Sequence, residues 1–383
     1  LKRPLKTPDL LKLSVVILNY NVRYFLEQCI RSVQQAIENL SAEIIVIDNA
    51  SKDDSCHMVA TLFPQVVLIE NKENVGFSKA NNQAVAVAKG EYVCILNPDT
   101  AVSEDTFRKV LDFAENVENM GALGVYLMDG TGNFLPESKR NLPTPKVSLM
   151  KLTGFTKKYY ASQVADHSSG KVEVLVGAFM VMKKAVYEEV GGFDEDYFMY
   201  GEDIDLSYKI TQAGYSNYYL GTTTVLHYKG ESTNKDDVYF ERFYGAMQIF
   251  YKKHFNKNFL LESSVNAGVA LAKKARRIAS EKEPRPLPKL QKNYFVTENI
   301  SLLETISAAT ATVFQMVSKN MHPQLSLSNS LLVFDAEYIS YSEIFQLMQQ
   351  LKGHNNIFRI RPPGCNFIIG SDQSDEKGGV VVF

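Results

Sequence analysis

The sequence predicts an α/β fold with a mostly parallel, doubly wound sheet and a smaller α/β domain at the C-terminal end. Three observations predict it. Short β-branched runs alternate with helical stretches over the first 100 residues. The runs are apolar throughout, as strands buried on both faces are. Polar residues collect at their C-terminal ends. Strand–helix units repeated at this length build a parallel sheet through right-handed crossovers.

The elements follow in order. Residues 13–18 (LSVVIL) form a strand, and 22–40 a helix with Phe25, Leu26, Cys29, Ile30, Val33 and Ile37 at helical spacing. A second strand, 43–47, ends at Asp48. Residues 51–63 read as a helix with an acidic first turn and Ser51 as its N-cap. Strand 66–70, helix 78–88 and strand 92–96 complete the alternation. Beyond it, 104–117 is helical, and 174–182 (VLVGAFMVM) reads as a central strand in which Gly177 admits a close backbone approach. The aromatic stripe at 239–259 has helical spacing through Phe240, Phe243, Met247, Phe250 and His254. Residues 273–293 hold eight Lys/Arg against two Glu, with three Pro, which marks a linker. After it come strand 331–334, helix 341–351 and strands 357–360 and 367–369. The expected division is a lead at 1–11, a main domain at 12–250, a helical and basic linker at 251–293 and a small α/β domain at 294–383.

Composition excludes several classes. A net charge of -2 gives no reason to expect nucleic acid. Cys29, Cys56, Cys94 and Cys365 lack zinc or disulfide-framework spacing and fit a reduced, cytoplasmic compartment. No run of about 18 apolar residues is long enough to span a bilayer. GxGxxG and GxxxxGK[ST] are absent, which argues against a Rossmann dehydrogenase and a P-loop kinase.

In open α/β sheets ligands bind beyond the carboxyl ends of the strands. Here those ends carry Asn19-Tyr20-Asn21, Asp48-Asn49, Asn71 and Asn97-Pro98-Asp99. The densest motif is GGFDEDYFMYGEDIDL at 191–206, with six carboxylates: Asp194, Glu195, Asp196, Glu202, Asp203 and Asp205. A solvated acidic loop would not interleave Phe193, Tyr197, Phe198, Met199 and Tyr200; packed aromatics desolvate a carboxylate and ready it as a base. Asp99 offers one hard oxygen ligand for Mg²⁺ or Mn²⁺, and His227 stands at another strand end. Gly76 and Ser78, opening a helix, offer backbone N–H groups to phosphate or ribose.

Taken in order, SVVILNYN (14–21), VIDNASKDDS (46–55), NVGFSKANN (74–82), LNPDT (96–100), VGAFMV (176–181), GGFDEDYFMYGEDIDLSYKI (191–210) and HYKGEST (227–233) resemble the family 2 glycosyltransferases of GT-A fold, in their rhamnosyltransferase-like branch. The resemblance covers about residues 12–235 and has several implications. Asn19, Tyr20 and Asn21 line a nucleoside pocket, Asp48 reads a pyrimidine, and Asn81 stands near ribose and diphosphate. Asp99 and His227 hold a divalent metal, Mg²⁺ or Mn²⁺. Asp203 is the general base of an inverting enzyme, with Glu202 and Asp205 as neighbouring acids able to orient the acceptor or take that role.

The implied reaction moves a sugar, rhamnose or another hexose, from a nucleoside-diphosphate sugar to a glycan or lipid-linked glycan in cell-surface polysaccharide synthesis. The DxD motif is here Asn97-Pro98-Asp99, without its first acid, and Asn81 replaces an Arg of many relatives. A nucleotidyltransferase would show a Gly-rich first loop, which LNYNVRYF lacks; a non-catalytic nucleotide- or glycan-binding subunit is the other alternative. Residues 273–293 read equally as a solvated linker or as a peripheral contact with the inner face of the cytoplasmic membrane.

Overall fold

The structure is a computed structural model and describes residues 11–152, 156–231, 237–255, 290–320, 327–374 and 377–383. The first part runs β1 (Leu13–Asn19), α1 (Arg23–Ala36), β2 (Ala42–Asp48), α2 (Ser55–Leu62), β3 (Val67–Glu70), α3 (Phe77–Val87) and β4 (Tyr92–Leu96). It continues through β5 (Thr100–Val102), α4 (Thr106–Glu115), β6 (Met120–Met128), α5 (Pro145–Leu152), β7 (Ser169–Val172) and β8 (Phe179–Lys183). Then come α6 (Lys184–Glu189), α7 (Glu202–Gln212), β9 (Ser216–His227) and α8 (Asp237–His254). A second sheet is built from β10 (Lys292–Val296), α9 (Ile300–Thr310), β11 (Gln315–Val317), β12 (Ser330–Asp335), α10 (Tyr341–Leu351), β13 (Ile357–Arg361), β14 (Phe367–Gly370) and β15 (Gly379–Val382).

The main sheet has the order β3-β2-β1-β4-β8-β6-β9-β5, with β7 added on β9. Strands β1 to β4 are all parallel. The chain moves outward from β1 to β3 and returns to place β4 on the other side of β1. That reversal opens a crevice at the carboxyl ends of β1 and β4, where ligands bind in such sheets. The uniformly apolar runs have a simple cause. Val16, Ile45 and Ile47 point into the core on one face, while Val15, Ile17 and Val46 point into the core on the other.

Three expectations change. The strand expected over 174–182 forms only from Phe179 and pairs antiparallel with both β4 and β6. Ser51 does not cap α2, which starts at Ser55 with Asp54 at its N-cap; its hydroxyl bonds Asp48 instead. Ser78 lies inside the first turn of α3, whose N-cap is Gly76. The basic stretch 273–293 falls, but for its last residues, outside the described residues.

The second sheet runs β11-β10-β12-β13-β14-β15 and is parallel through β13. It shares one apolar cluster with the main sheet, in which Met128, Leu226 and Tyr228 join Tyr341, Phe345, Met348 and Ile369. Polar contacts fix the seam. Glu104 accepts hydrogen bonds from the Tyr341 and Ser342 N–H groups at 2.7 and 3.2 Å, capping α10 from the other sheet. Glu27 of α1 accepts from the Cys365 thiol at 3.3 Å.

Candidate active site

The strand ends meet at the crevice as the sequence predicts, but much of their polarity is spent locally. Asp48 is buried and accepts three bonds: from Asn19 Nδ2 at 2.7 Å, Ser51 N–H at 2.8 Å and Ser51 Oγ at 2.6 Å. Asn19 is wholly buried and serves to hold that carboxylate. Asn21 has a positive φ, and its Oδ1 accepts from Lys52 N–H at 2.6 Å. Tyr20 and Asn21 both stand exposed. Asn81 is buried and donates to the Phe77 carbonyl one turn back, leaving its Oδ1 without a partner.

Gly76 differs from expectation. The Phe77 N–H donates at 2.7 Å to the carbonyl of Phe198, so the chain's own loop closes this helix start. A Cβ at position 76 would lie 2.6 Å from that oxygen. Glycine is needed there for a close approach, and the Phe77 N–H is taken by the chain itself and not open to a phosphate.

Asp99 and His227 come together because β5 pairs with β9 in a register that sets Thr100 opposite His227. His227 Nε2 lies 3.4 Å from Asp99 Oδ1; both residues are buried, and His227 Nδ1 has no hydrogen-bond partner. No cluster of three His, Cys, Asp or Glu suited to a metal exists among the described residues. Two protein ligands suffice for Mg²⁺ or Mn²⁺, which keep positions for water and phosphate oxygens. The donor set therefore fits a divalent ion shared with a diphosphate.

The six acids of 194–205 separate into two groups. Asp194 and Asp196 pair with Lys253 of α8, and Glu195 accepts from Asn82 at 3.0 Å. Glu202, Asp203 and Asp205 form the first turn of α7, which opens from Gly201 in the left-handed region. Asp205 is wholly buried and held by His254 at 2.6 Å and Lys209 at 3.2 Å, so it braces α7 against α8 and does not face an acceptor. Asp203 accepts from Gly177 N–H at 3.3 Å and from Arg140 at 2.6 Å. Burial, and then the Asp203 charge, push the neighbouring Glu202 carboxyl well above the usual carboxylate range.

The 177–178 segment ties the two halves together. Gly177 N–H reaches Asp203, while the Ala178 carbonyl accepts from Asn97 N–H at 3.0 Å, two residues before Asp99. The acid pair and the strand end that carries Asp99 are thus linked through one backbone segment.

Residues 14–191 match the family described as Glycosyl transferase family 2. The chain carries a family 2 glycosyltransferase domain. An N-acetylglucosaminyl-diphospho-decaprenol L-rhamnosyltransferase of Mycobacterium tuberculosis is 28% identical over 242 residues, covering 58% of this chain and 78% of its own. The low-salt glycan biosynthesis hexosyltransferase Agl10 of Haloferax volcanii is 24% identical, covering 66% of this chain and 76% of its own. A mannosyltransferase of Pyrobaculum calidifontis, solved with GDP-Man and Mn²⁺, covers 73% of this chain and 80% of its own at 19% identity, with a TM-score of 0.47. That last likeness is too distant to argue from. The family match stops at residue 191, short of Glu202, Asp203 and His227.

Two residues escaped the sequence reading. Arg140 lies in an irregular stretch, SKRN, with no motif around it. Glu231 is buried four residues after His227; burial pushes its carboxyl up to about 7, and its Oε1 accepts from Gly378 N–H of the second sheet at 2.6 Å. Only the fold brings either group to the site.

Proposed function

We propose that the glycosyltransferase is an inverting enzyme that transfers a hexose, rhamnose being the first candidate, from a nucleoside-diphosphate sugar to a hydroxyl of a glycan or lipid-linked glycan. The observation that carries this reading is the link through Gly177 and Ala178. A carboxylate pair at the start of α7 lies one backbone segment away from a buried Asp99–His227 pair able to hold a diphosphate-bound metal.

In this reading the acceptor oxygen attacks the anomeric carbon from the face opposite the diphosphate. The bond from that carbon to the diphosphate breaks, and its electron pair leaves with the nucleotide. The acceptor proton passes to Asp203. Asp99 and His227 would hold the metal, which when bound neutralises charge on the leaving diphosphate. Tyr20, exposed at the end of β1, faces the side expected for the nucleoside, and Asn19 and Asp48 shape that loop from beneath. The rhamnosyltransferase named above supports rhamnose and a diphosphate-lipid acceptor as the first choices. A contact of 273–293 with anionic headgroups remains part of the proposal; vesicle pelleting at low salt tests it.

The test of the function is nucleotide release from dTDP-, UDP- and GDP-sugars with Mg²⁺ or Mn²⁺, with and without a polyprenyl-diphosphate-linked sugar acceptor. Release that depends on one donor and rises with the acceptor is expected. No release from any donor would contradict transfer.

A further inference from the structure

Asp203 has a partner that no motif announces. Arg140 is held by backbone bridges to Tyr160 and Val174, and its guanidinium is buried. Its Nη2 donates to Asp203 Oδ2 at 2.6 Å and to the Leu175 carbonyl at 2.5 Å, and the Tyr159 side chain also hydrogen-bonds it. The adjacent Lys139 turns away, to Asp166 at 2.9 Å. Asp203 Oδ2 also receives Gly177 N–H, and Oδ1 receives Ile204 N–H at 2.8 Å.

The rest of the surroundings is acidic or apolar. Glu202 precedes Asp203 and is equally buried; its Oε2 has no hydrogen-bond partner. Asp205 is committed to Lys209 and, across the seam with α8, to His254. From α3 the ring of Phe77 comes close, 3.5 Å from where a Cβ on Gly177 would stand. One guanidinium therefore faces two adjacent buried carboxyl groups, and it is aimed at one of them. Two such groups do not both ionise cheaply, and the nearer cation decides which does.

We propose that Arg140 is a positioning residue that holds the Asp203 carboxylate fixed beside Gly177 and supplies the cation facing the Asp203–Glu202 pair. The inference rests on the proposed transfer reaction, in which Asp203 receives the acceptor proton. Without the guanidinium, Asp203 Oδ2 loses the cation that holds it and keeps only the Gly177 N–H, beside a second buried carboxyl group.

The experiment is the pH profile of kcat/KM for acceptor, read by nucleotide release, with Arg140→Gln, Arg140→Lys and Glu202→Gln. In Arg140→Gln the acid limb is expected to rise by about one pH unit or more, a tenfold change in proton affinity, so the deficit is large in acid and shrinks in base. The KM for donor stays unchanged, and Arg140→Lys returns the limb towards its original place. A deficit equal at every pH would assign Arg140 a merely structural role and overturn the proposal. Should Arg140→Gln not fold, Glu202→Gln tests the claim from the other side. With the guanidinium in place the limb stays put, whereas a limb falling by a unit would assign control to Glu202. No turnover by the unaltered enzyme would overturn the reaction and this role together; turnover with a pH-independent deficit overturns Arg140 alone.

Discussion

Gly76→Ala tests how the loop before α7 is held. Gly76 has φ 89° and ψ 173°, a region open almost only to glycine, and a side chain there costs about 1–3 kcal/mol. The new Cβ would also stand 2.6 Å from the Phe198 carbonyl oxygen and 2.9 Å from its ring. The oxygen belongs to backbone and cannot rotate aside, so overpacking adds about 1–3 kcal/mol. The sum, about 2–6 kcal/mol, is a large share of the roughly 5–15 kcal/mol that stabilises a typical domain. Gly191→Ala is the control, because φ is 77° there with nothing within 4 Å of the added Cβ. It should cost only the backbone strain, about 1–2 kcal/mol. Urea unfolding of both variants measures the difference. Equal midpoints would refute the close approach of the 197–200 loop to α3 and reopen Gly76 as a ligand-facing turn.

Other consequences follow from single contacts. Glu104→Ala removes the two bonds that Glu104 accepts from the first turn of α10, while the Ser340–Glu343 capping box remains, and should lower stability by about 1–2 kcal/mol in urea unfolding; no loss would mean these two bonds add nothing to the seam. His254→Ala leaves Asp205 buried with Lys209 and the Tyr197 hydroxyl as its remaining partners. The cost should fall at the low end of about 3–5 kcal/mol, read by thermal unfolding. Glu202→Gln should change the pH dependence of stability. The folded protein holds the Glu202 proton to higher pH than the unfolded chain, so stability drains as pH rises from the ordinary carboxylate range through the raised folded value. Gln carries no such charge, so the variant's gain in Tm should be small near about pH 4.5 and grow into the alkaline range; a gain independent of pH would contradict this. Asp99→Asn should abolish the dependence of nucleotide release on added Mn²⁺, and an unchanged Mn²⁺ titration would remove Asp99 from the metal.

The parallel half of the sheet was legible because each strand is apolar on both faces and each helix shows a clean stripe. Periodicity says nothing about direction, so the antiparallel insertion of β8 between β4 and β6 was not. At the site, sequence identified groups but not their partners. Asp48 and Asn19 both fall at strand ends, and the parallel register of β1 and β2 sets them opposite each other, where they bond. Among the six acids the resemblance singles out Asp203, with Glu202 and Asp205 beside it, but not their partners; Lys253 and His254, far along the chain, hold Asp194, Asp196 and Asp205. Arg140 was invisible for the same reason. Its partner lies 63 residues away and depends on an irregular bridge to Val174.

The most direct measurement is the Asp203→Asn variant under the nucleotide-release assay, with donor binding measured on the same protein. Loss of the proton acceptor should cut acceptor-dependent turnover by about 10²–10⁴-fold, while donor affinity stays close to that of the parent; Tm should fall, because Arg140 is left buried without its carboxylate. Turnover at the parental rate would contradict the account, since the carboxylate held by Arg140 and Gly177 would then have no part in the transfer.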